Sequence, residues 1–476
     1  MYRKYVLTFA VVSGLALAMS ILFFLNPAST DAASSVLYVE PTGNCGGASP
    51  CYSSIQSALD EAMPDDEIKV ATGVYSGVHA YTDTNTLVTQ TLFINKSIIL
   101  TGGYTTTSWS SPDAVAYPVT LDAQNLGRVI YITGTIDVEM DGLRLINGNG
   151  GIFIGDSSNV ELRNSLILSS TTWEGGYPGH GIMNYGTLTL VNSSIVSSTV
   201  QSVMSWGVGI YNLGNTNIYS ATIRDNTSQT CAGIANEGSM NVFTATIQNN
   251  IGLGYMGHGG GICNWGSFYL ASSSVLNNKS LIGGGIANEG IMSILNTTIS
   301  GNDASAHGSG VLNYTAGPTS GITPTGMMTI TNSTIVSNTS ASLPYSEGIN
   351  NSDYFGVGIT PTLSIKNTII AYNTNANCIG MITSLGHNIE NENSCTFNNV
   401  GDLINIDPGL GPLNYYGGPT LTYSLEPNSL AIDTGDNIGC PSIDQRGVHR
   451  PQGSACDIGA FEALRLFLPI IYITIP

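Results

Sequence analysis

A glycine- and asparagine-rich segment recurs along most of this 476-residue chain, and no other feature restricts the fold as strongly. Each unit reads G-I-x-N-x-G, then alternating apolar and polar residues, then T/S-x-I and often a closing Asn. Units start 24 to 38 residues apart, at Gly151, Gly181, Gly209, Gly233, Gly261, Gly285, Gly310 and Gly348. Self-similarity at such a period indicates an architecture of stacked repeats.

The alternation inside each unit identifies the elements that stack. Segments such as "TLTLVNSSI" have a period of two, which predicts strands rather than helices. A unit this short cannot bury its own apolar face. We therefore expect each strand to pair in parallel with its equivalent one coil further on, at a rise of about 4.8 Å.

The Asn of each G-I-x-N segment falls at one place in the unit. Asparagine tolerates the backbone conformations of tight corners, and stacked Asn side chains can hydrogen-bond along an axis. We interpret this row as a structural ladder without a catalytic role, made by Asn184, Asn212, Asn236, Asn264, Asn288, Asn313 and Asn351.

The repeats resemble those of the right-handed parallel β-helix proteins of the pectate-lyase-like superfamily. More narrowly, "GGGI.N.G" followed by "N.TI..N" resembles the polymorphic-outer-membrane-protein repeats of secreted bacterial proteins. The resemblance implies an all-β fold, a single right-handed parallel β-helix with a short N-terminal capping helix and a disulfide-bearing C-terminal cap. Coils should run from about Ile94 to Asn373, within a repeat region of residues 94–375.

The segments before and after the repeats support the same resemblance. Residues 34–93 contain "PCYSSIQSALDEAMPDDEIKVATGVYSG", where Ser53 and Gln56 suggest a capping box at the start of a helix. That helix would cover the open end of the first coil. Within residues 376–463, "DQRGVHRPQGSACDIGAFE" resembles the closing motif of choice-of-anchor Q domains. We expect its charged residues to hold a terminal cap together by ion pairs: Asp444, Arg446, Arg450, Asp457 and Glu462.

The two ends of the chain predict export. Arg3 and Lys4 precede an apolar run and then small residues, so residues 1–33 read as a signal peptide, with an uncleaved anchor as the alternative. The tail, residues 464–476, is apolar but too short to span a bilayer. We therefore expect a secreted or cell-surface protein, which would contact the membrane only through the N-terminal segment if that segment is not cleaved.

Eight cysteines suit an oxidising destination. Their spacing predicts three local disulfides, Cys45–Cys51, Cys378–Cys395 and Cys440–Cys456. Cys231 and Cys263 occupy different places in the repeat unit, so we expect them to be two buried thiols.

Charge limits the partners and the chemistry. Only 9% of residues are charged and the formal net charge is -19, which argues against nucleic acid. Arg224 beside Asp225 could pair a base with a carboxylate, but a surface ion pair explains it better. The six histidines are dispersed, and His258 and His307 look like corner residues. No catalytic signature, metal-ligand set or cofactor motif is recognisable.

One column of residues could carry a function. The residue after each ladder Asn precedes a Gly at a corner and should point outward; the column is Tyr185, Leu213, Glu237, Trp265, Glu289 and Tyr314. Tyr185, Trp265 and Tyr314 could form a sugar-binding strip. Glu237 and Glu289, two coils apart, could in addition serve an inverting glycosidase. The ordinary alternative is a row of exposed corner residues.

Three functions remain open at this point. The first is an adhesin-like β-helix that presents an extended face to glycans or other surface components. The second is a polysaccharide-active enzyme on the same scaffold, either an inverting glycoside hydrolase or a lyase. The third is a structural surface stalk. Low charge and the lack of a catalytic motif favour the first and third.

Overall fold

The computed structural model describes residues 34–83, 86–168, 171–172, 181–200, 207–254, 258–315, 326–340, 347–354, 356 and 358–464. The chain divides into two units, Met1–Ser35 and Val36–Pro476. The predicted signal segment, and all but the first residue of the apolar tail, lie outside the described residues.

The second unit is a single parallel β-helix, as the repeats predict. The repeating coils contribute one strand to each of three long sheets, in which neighbouring strands pair in parallel except for the antiparallel pair of His79–Asp83 and Thr86–Ile94. The first sheet consists of Cys51–Tyr52, Val36–Val39, Asp66–Ala71, Ile98–Tyr104, Asp137–Asp141, Asn159–Arg163, Thr187–Val191, Asn215–Tyr219, Ser239–Phe243, Ser267–Ala271, Ile291–Leu295, Met327–Thr331, Thr362–Lys366 and Thr383–Ser384.

The second sheet consists of Gly73–Ser76, Val119–Asp122, Leu143–Ile146, Leu166–Leu168, Ser194–Val196, Thr222–Arg224, Thr246–Gln248, Ser274–Leu276, Thr298–Ser300, Thr334–Val336, Ile369–Ala371, Ile389–Glu390 and Leu403–Ile404. The third consists of His79–Asp83, Thr86–Ile94, Arg128–Ile132, Ile152–Ile154, Ile182–Asn184, Ile210–Asn212, Ile234–Asn236, Ile262–Asn264, Ile286–Asn288, Val311–Tyr314, Glu347–Ser352 and Ala376–Gly380. A short fourth sheet consists of Thr171–Thr172, Thr199–Val200, Thr227–Ser228, Ile251–Gly252, Lys279–Ile282 and Asp303–His307.

The Gly starts are in register, as predicted. Ile152 pairs with Ile182, and the same position continues in every later coil to Ile349. A Cβ atom on Gly233 would lie 2.3 Å from the carbonyl oxygen of Gly261 in the next coil. The repeat therefore requires glycine there because successive coils approach too closely for any side chain.

The capping helix spans Ile55–Glu61 and begins one residue later than predicted. Its N-cap is Ser54, whose side chain accepts a hydrogen bond from the Ser57 backbone N–H, so the proposed Ser53–Gln56 capping box is wrong. Gln56 instead pairs with the edge of the third sheet, because its amide accepts from the backbone N–H of Phe93 and donates to the Phe93 carbonyl. Ile55 and Leu59 are buried against the first coil.

The C-terminal segment carries two disulfides, as expected, and its closing motif packs against the side of the last coils. Residues 376–404 still form coil strands, and the Cys378–Cys395 disulfide with Phe397 belongs to the main core. Residues 410–464, here called the C-terminal clamp, lie along the outer face of the second sheet. They begin with an antiparallel hairpin of Leu410–Asn414 and Thr422–Leu425.

Apolar side chains hold the clamp in place. Val336 and Ile369 point out of the second sheet and are buried against Ile458 and Phe461 of the clamp. Hydrogen bonds from the Ala460 N–H to Thr334 Oγ1 and from the Gly459 N–H to the Asn367 carbonyl extend the contact. Strands of the later coils, such as Thr334–Val336, are therefore buried on both faces.

All eight cysteines are paired. The three predicted disulfides are present, and a fourth joins Cys231 to Cys263. The expectation of two buried thiols is therefore wrong. Cys231 lies at a corner with a positive φ of 54°, and this turn brings its Cα within 5.6 Å of the Cα of Cys263 in the following coil.

Candidate functional site

Aromatic side chains accumulate on the outer face of the third sheet in its first coils. Each short strand there points its first and third residues inward and its middle residue outward, so that Ile152 and Ile154 are buried while Phe153 faces out. Rings from neighbouring coils are in contact: Tyr131 stacks on Phe153 with a centroid distance of 4.4 Å, and Tyr185 lies 5.6 Å from Phe153 at an interplanar angle of 46°. In later coils the same position is occupied by the small residues Ala235, Cys263 and Ala287.

The stacked rings form one wall of a groove of about 790 Å³. Leu87 and Leu126 are exposed at its edge, and Thr133, Asn149 and Asp156 supply polar groups. The volume lies within the usual range for small-molecule sites, and the mixture of apolar walls with a few polar groups is typical of them.

Arg128 is the cation of this groove. Its guanidinium carbon lies 5.7 Å from the centre of the Phe153 ring, within cation–π range. The side chain as a whole is half-buried, but Nη1 is inaccessible to solvent and has no hydrogen-bond partner. Burial lowers the pKa of Arg128 to about 10, which nearby Tyr131 and Tyr185 partly oppose.

Gly150 makes room for the guanidinium. A Cβ at this position would lie 2.8 Å from Nη1 of Arg128, and the φ of +108° is one that other residues rarely adopt. The guanidinium therefore packs directly against the backbone of the next coil. Arg128 is the first residue of the strand Arg128–Ile132, where Val129 and Ile130 are both buried, so strict alternation did not predict the direction of the Arg128 side chain.

Arg128 is the residue that the sequence analysis missed. It lies in "GRVIYITG", ahead of the first G-I-x-N unit, so the repeat alignment did not include it. The sequence nevertheless distinguishes this residue. Arg128 lies three residues before Tyr131, in a chain with only 13 Lys and Arg residues, and such a pair indicates a candidate binding site.

The column after the ladder Asn residues does not form one exposed strip. Tyr185 is 37% exposed and lines the groove, Glu237 is exposed, and Trp265 is half-buried. Glu289 and Tyr314 are only 8% and 2% exposed, so the expectation that they point outward is wrong. Tyr314 packs on Ala287, whose small side chain leaves room for a ring on the sheet.

Glu289 is a carboxyl group held within a network of donors. Burial raises its pKa, and hydrogen bonds from Tyr314 and Trp265 oppose that rise. Tyr314 Oη also lies 3.0 Å from Nδ1 of His258. Glu237, two coils away, accepts a 2.5 Å hydrogen bond from the hydroxyl of Tyr211. Each carboxyl of the suggested glycosidase pair thus already has hydrogen-bond donors within the protein.

The Asn residues of the repeat form a continuous hydrogen-bonded column. Nδ2 of each donates to Oδ1 of the next at 2.7 to 2.8 Å, through Asn184, Asn212, Asn236, Asn264, Asn288, Asn313 and Asn351. The closing Asn of the units forms a second column that the sequence did not predict as a ladder. It consists of Asn226, Asn250, Asn278, Asn302, Asn338, Asn373 and Asn377.

The remaining charged candidates form local pairs. Arg224 bonds to Asp225 and Lys279 to Asp303, all on partly exposed surface. His307 packs edge-on against Tyr354. Within the described residues, no three His, Cys, Asp or Glu side chains lie close enough together to hold a metal ion.

The charged residues of the clamp are buried and paired. Arg446 Nη2 lies 2.6 Å from Asp444 Oδ2, and Arg450 Nη1 lies 3.1 Å from Glu462 Oε2. Arg446 also covers the ring of Phe461 at 3.5 Å. These ion pairs organise the clamp itself.

Comparisons with known proteins are distant. No protein-family model matches the chain, and no curated protein matches it. Among solved structures the fold is similar to that of pectate lyase Pel9A, with 17% identity over 90% of this chain and 97% of that chain, and a TM-score of 0.42. It is also similar to the PL6 family alginate lyase AlyGC, with 12% identity over 87% of this chain and 58% of that chain, and a TM-score of 0.43.

In the part of the chain that the structure covers, no helix has both the length and the apolar character to cross a bilayer.

Proposed function

We propose that this protein is a secreted or cell-surface β-helix that binds an acidic glycan in the groove around Arg128. The observation that carries the proposal is the Arg128 guanidinium, which lines the groove beside its aromatic wall. Its Nη1 is enclosed by the backbone at Gly150, so a ligand would reach the side of the guanidinium that faces the groove. A ligand carboxylate or sulfate would form a charge-assisted hydrogen bond there.

The walls of the groove support a sugar as the ligand. Tyr131 and Phe153 are stacked on each other and present ring edges to the groove, and Tyr185, which is tilted against Phe153, is the most exposed of the three rings. Thr133 and Asn149 can exchange hydrogen bonds with hydroxyl groups. The groove is open at the protein surface, so a segment of a longer chain can lie in it.

The anion preference is local. A net charge of -19 repels an acidic polymer at long range, but a buried cation acts at short distance where the effective dielectric constant is low. We therefore expect recognition to depend on one well-placed acidic group, in contrast to a broadly basic surface.

Location is part of the proposal. Four disulfides are typical of proteins that fold in an oxidising compartment. The signal-like N-terminus and the resemblance of the repeats and closing motif to those of surface proteins add to this. A protein of this kind would hold glycans at or near the cell surface, as an adhesin does.

A binding screen tests the proposal. Residues 34–464 are applied to a glycan array that holds uronate-containing, sulfated, sialylated and neutral chains, and acidic hits are measured by calorimetry. We expect acidic glycans to bind and Arg128→Met to abolish their binding. Arg144→Met, an exposed arginine on the second sheet, is the matched control and should bind as the wild type does. Binding confined to neutral glycans, or unchanged by Arg128→Met, would overturn the proposal.

A further inference from the structure

A second, smaller depression lies on the same face, next to the capping helix. Its volume is about 250 Å³, and it is lined by Leu59 and Asp60 of the helix and by Tyr81, Phe93, Asn95 and Lys96 near the third sheet. Asp60 and Asn95 are exposed and face solvent beside the two aromatic rings.

A continuous stack of rings joins this depression to the Arg128 groove. Tyr81 stacks on Phe93 at 4.4 Å, and Phe93 on Tyr131 at 6.1 Å. From Tyr131 the stack continues through Phe153 to Tyr185 at the far end of the groove. Four of the rings lie on successive strands and Tyr185 directly follows the next strand, Ile182–Asn184, so the apolar wall extends roughly 19 Å parallel to the helix axis.

We infer that the groove and the depression are the two ends of one site, which takes a linear glycan with its acidic residue at Arg128 and neutral residues toward the capping helix. This inference rests on the proposed function and specifies its ligand. One coil advances by about 4.8 Å, close to the length of one sugar residue, so the wall would accommodate about four residues.

The charges at the helix end decide between neutral and acidic residues there. The carboxylate of Asp60 repels a second acidic group but accepts hydrogen bonds from sugar hydroxyls. Lys96 keeps its positive charge, but two of its three N–H groups already donate to the carbonyl oxygens of Asp60 and Ala62, so it offers an acidic sugar little direct hydrogen bonding. The site therefore favours a heteroglycan with one acidic residue over a chain in which every residue is acidic.

Chain length provides the test. Binding to the protein, residues 34–464, is measured by calorimetry for oligosaccharides with one terminal acidic residue and one to four neutral residues, prepared with the acidic residue at either end. We expect affinity to rise by about tenfold or more as the chain lengthens from two to four residues in one of the two orientations. For a chain in which every residue is acidic, the affinity should rise by a smaller factor over the same change in length.

Two variants localise the effect. Tyr81→Ser should reduce the affinity for the tetrasaccharide to that for the disaccharide and leave disaccharide binding unchanged. Asp60→Asn should increase the affinity for the uniformly acidic tetramer. Tyr219→Ser, an exposed tyrosine stacked on Phe243 of the first sheet, is the matched control and should change neither.

The two possible failures differ. If the disaccharide binds through Arg128 but longer chains gain nothing, or if Tyr81→Ser leaves the tetrasaccharide unaffected, the extended site is wrong and the proposed function stands. If neither short nor long acidic chains bind, the proposed function fails and the extended site fails with it.

Discussion

The guanidinium of Arg128 lies 5.7 Å from the ring of Phe153, and its buried Nη1 has no hydrogen-bond partner. Arg450, by contrast, is buried against Glu462 and donates to the carbonyl oxygens of Asp457 and Gly459. Each guanidinium buries one unpaired nitrogen, Nη1 of Arg128 and Nε of Arg450, but Arg450 forms an ion pair with Glu462 whereas Arg128 lines the groove. That difference separates a structural cation from a candidate for ligand recognition.

The two arginines should respond differently to the same change. Arg128→Met removes a poorly satisfied cation, so we expect the free energy of unfolding to stay within about 1 kcal/mol of the wild type. Arg450→Met leaves Glu462 buried without its partner and should cost about 3–5 kcal/mol. Chemical denaturation of both variants measures this. An equal loss for both would mean that Arg128 has a structural role.

The Asn column should contribute strongly to stability. Asn236 accepts from Asn212 and donates to Asn264, Gly238 and Ser267, so Asn236→Ala leaves several buried groups unpaired. We expect a loss of about 2–4 kcal/mol.

Asn217 is the matched control for that change, because among the described residues its side chain accepts one hydrogen bond, from the partly buried Asn241 on the outer face of the first sheet. Asn217→Ala should cost less than about 1 kcal/mol. Comparable melting temperatures for the two variants would contradict the ladder account.

The fourth disulfide can be detected chemically. Non-reducing peptide mapping should recover a Cys231–Cys263 peptide, and thiol titration of the unfolded, unreduced chain should find no free thiol. Replacing both cysteines by Ala opens a loop with a sequence separation of 32 and should cost about 3–4 kcal/mol. Two titratable thiols would restore the interpretation drawn from the sequence.

Stability should fall as the pH rises. Burial raises the pKa of Asp457 in the clamp from 3.8 to about 7, so the folded protein binds its proton more tightly than the unfolded chain does. Protonated Asp457 therefore contributes its full share to the free energy of unfolding below about pH 4. This share decreases as the pH rises toward 7 and levels off above that, with a total change of a few kcal/mol.

Asp457→Asn removes this titration. Denaturation at pH 4, 5.5, 7 and 8.5 should give a shallower pH dependence for the variant than for the wild type, whatever its absolute stability. If stability depends on pH in the same way in the wild type and in Asp457→Asn, a group other than Asp457 determines the pH dependence.

The repeat region was predictable because its physics is local and periodic. The Gly starts predict the register correctly, since any Cβ on Gly233 would collide with the next coil. The Cys231–Cys263 disulfide was not predictable, because the corner at Cys231 shifts the apparent positions of the two residues in the unit.

The clamp and the groove depend on contacts between distant parts of the chain. Gln445 reaches Thr298 across 147 residues, and no repeat pattern encodes that contact. Val336 and Ile369 did carry a signal, as apolar residues at outward positions of the second sheet. They indicated a covered face without identifying what covers it. Arg128 precedes the repeats and was missed for that reason.

The most direct measurement is a crystal structure of residues 34–464 with the tightest acidic glycan from the screen. We predict a carboxylate or sulfate oxygen about 2.7–2.9 Å from a guanidinium nitrogen of Arg128 that faces the groove, with sugar rings along Tyr131 and Phe153. A glycan bound elsewhere, for example over Tyr219 on the first sheet, with no contact to Arg128, would contradict this account.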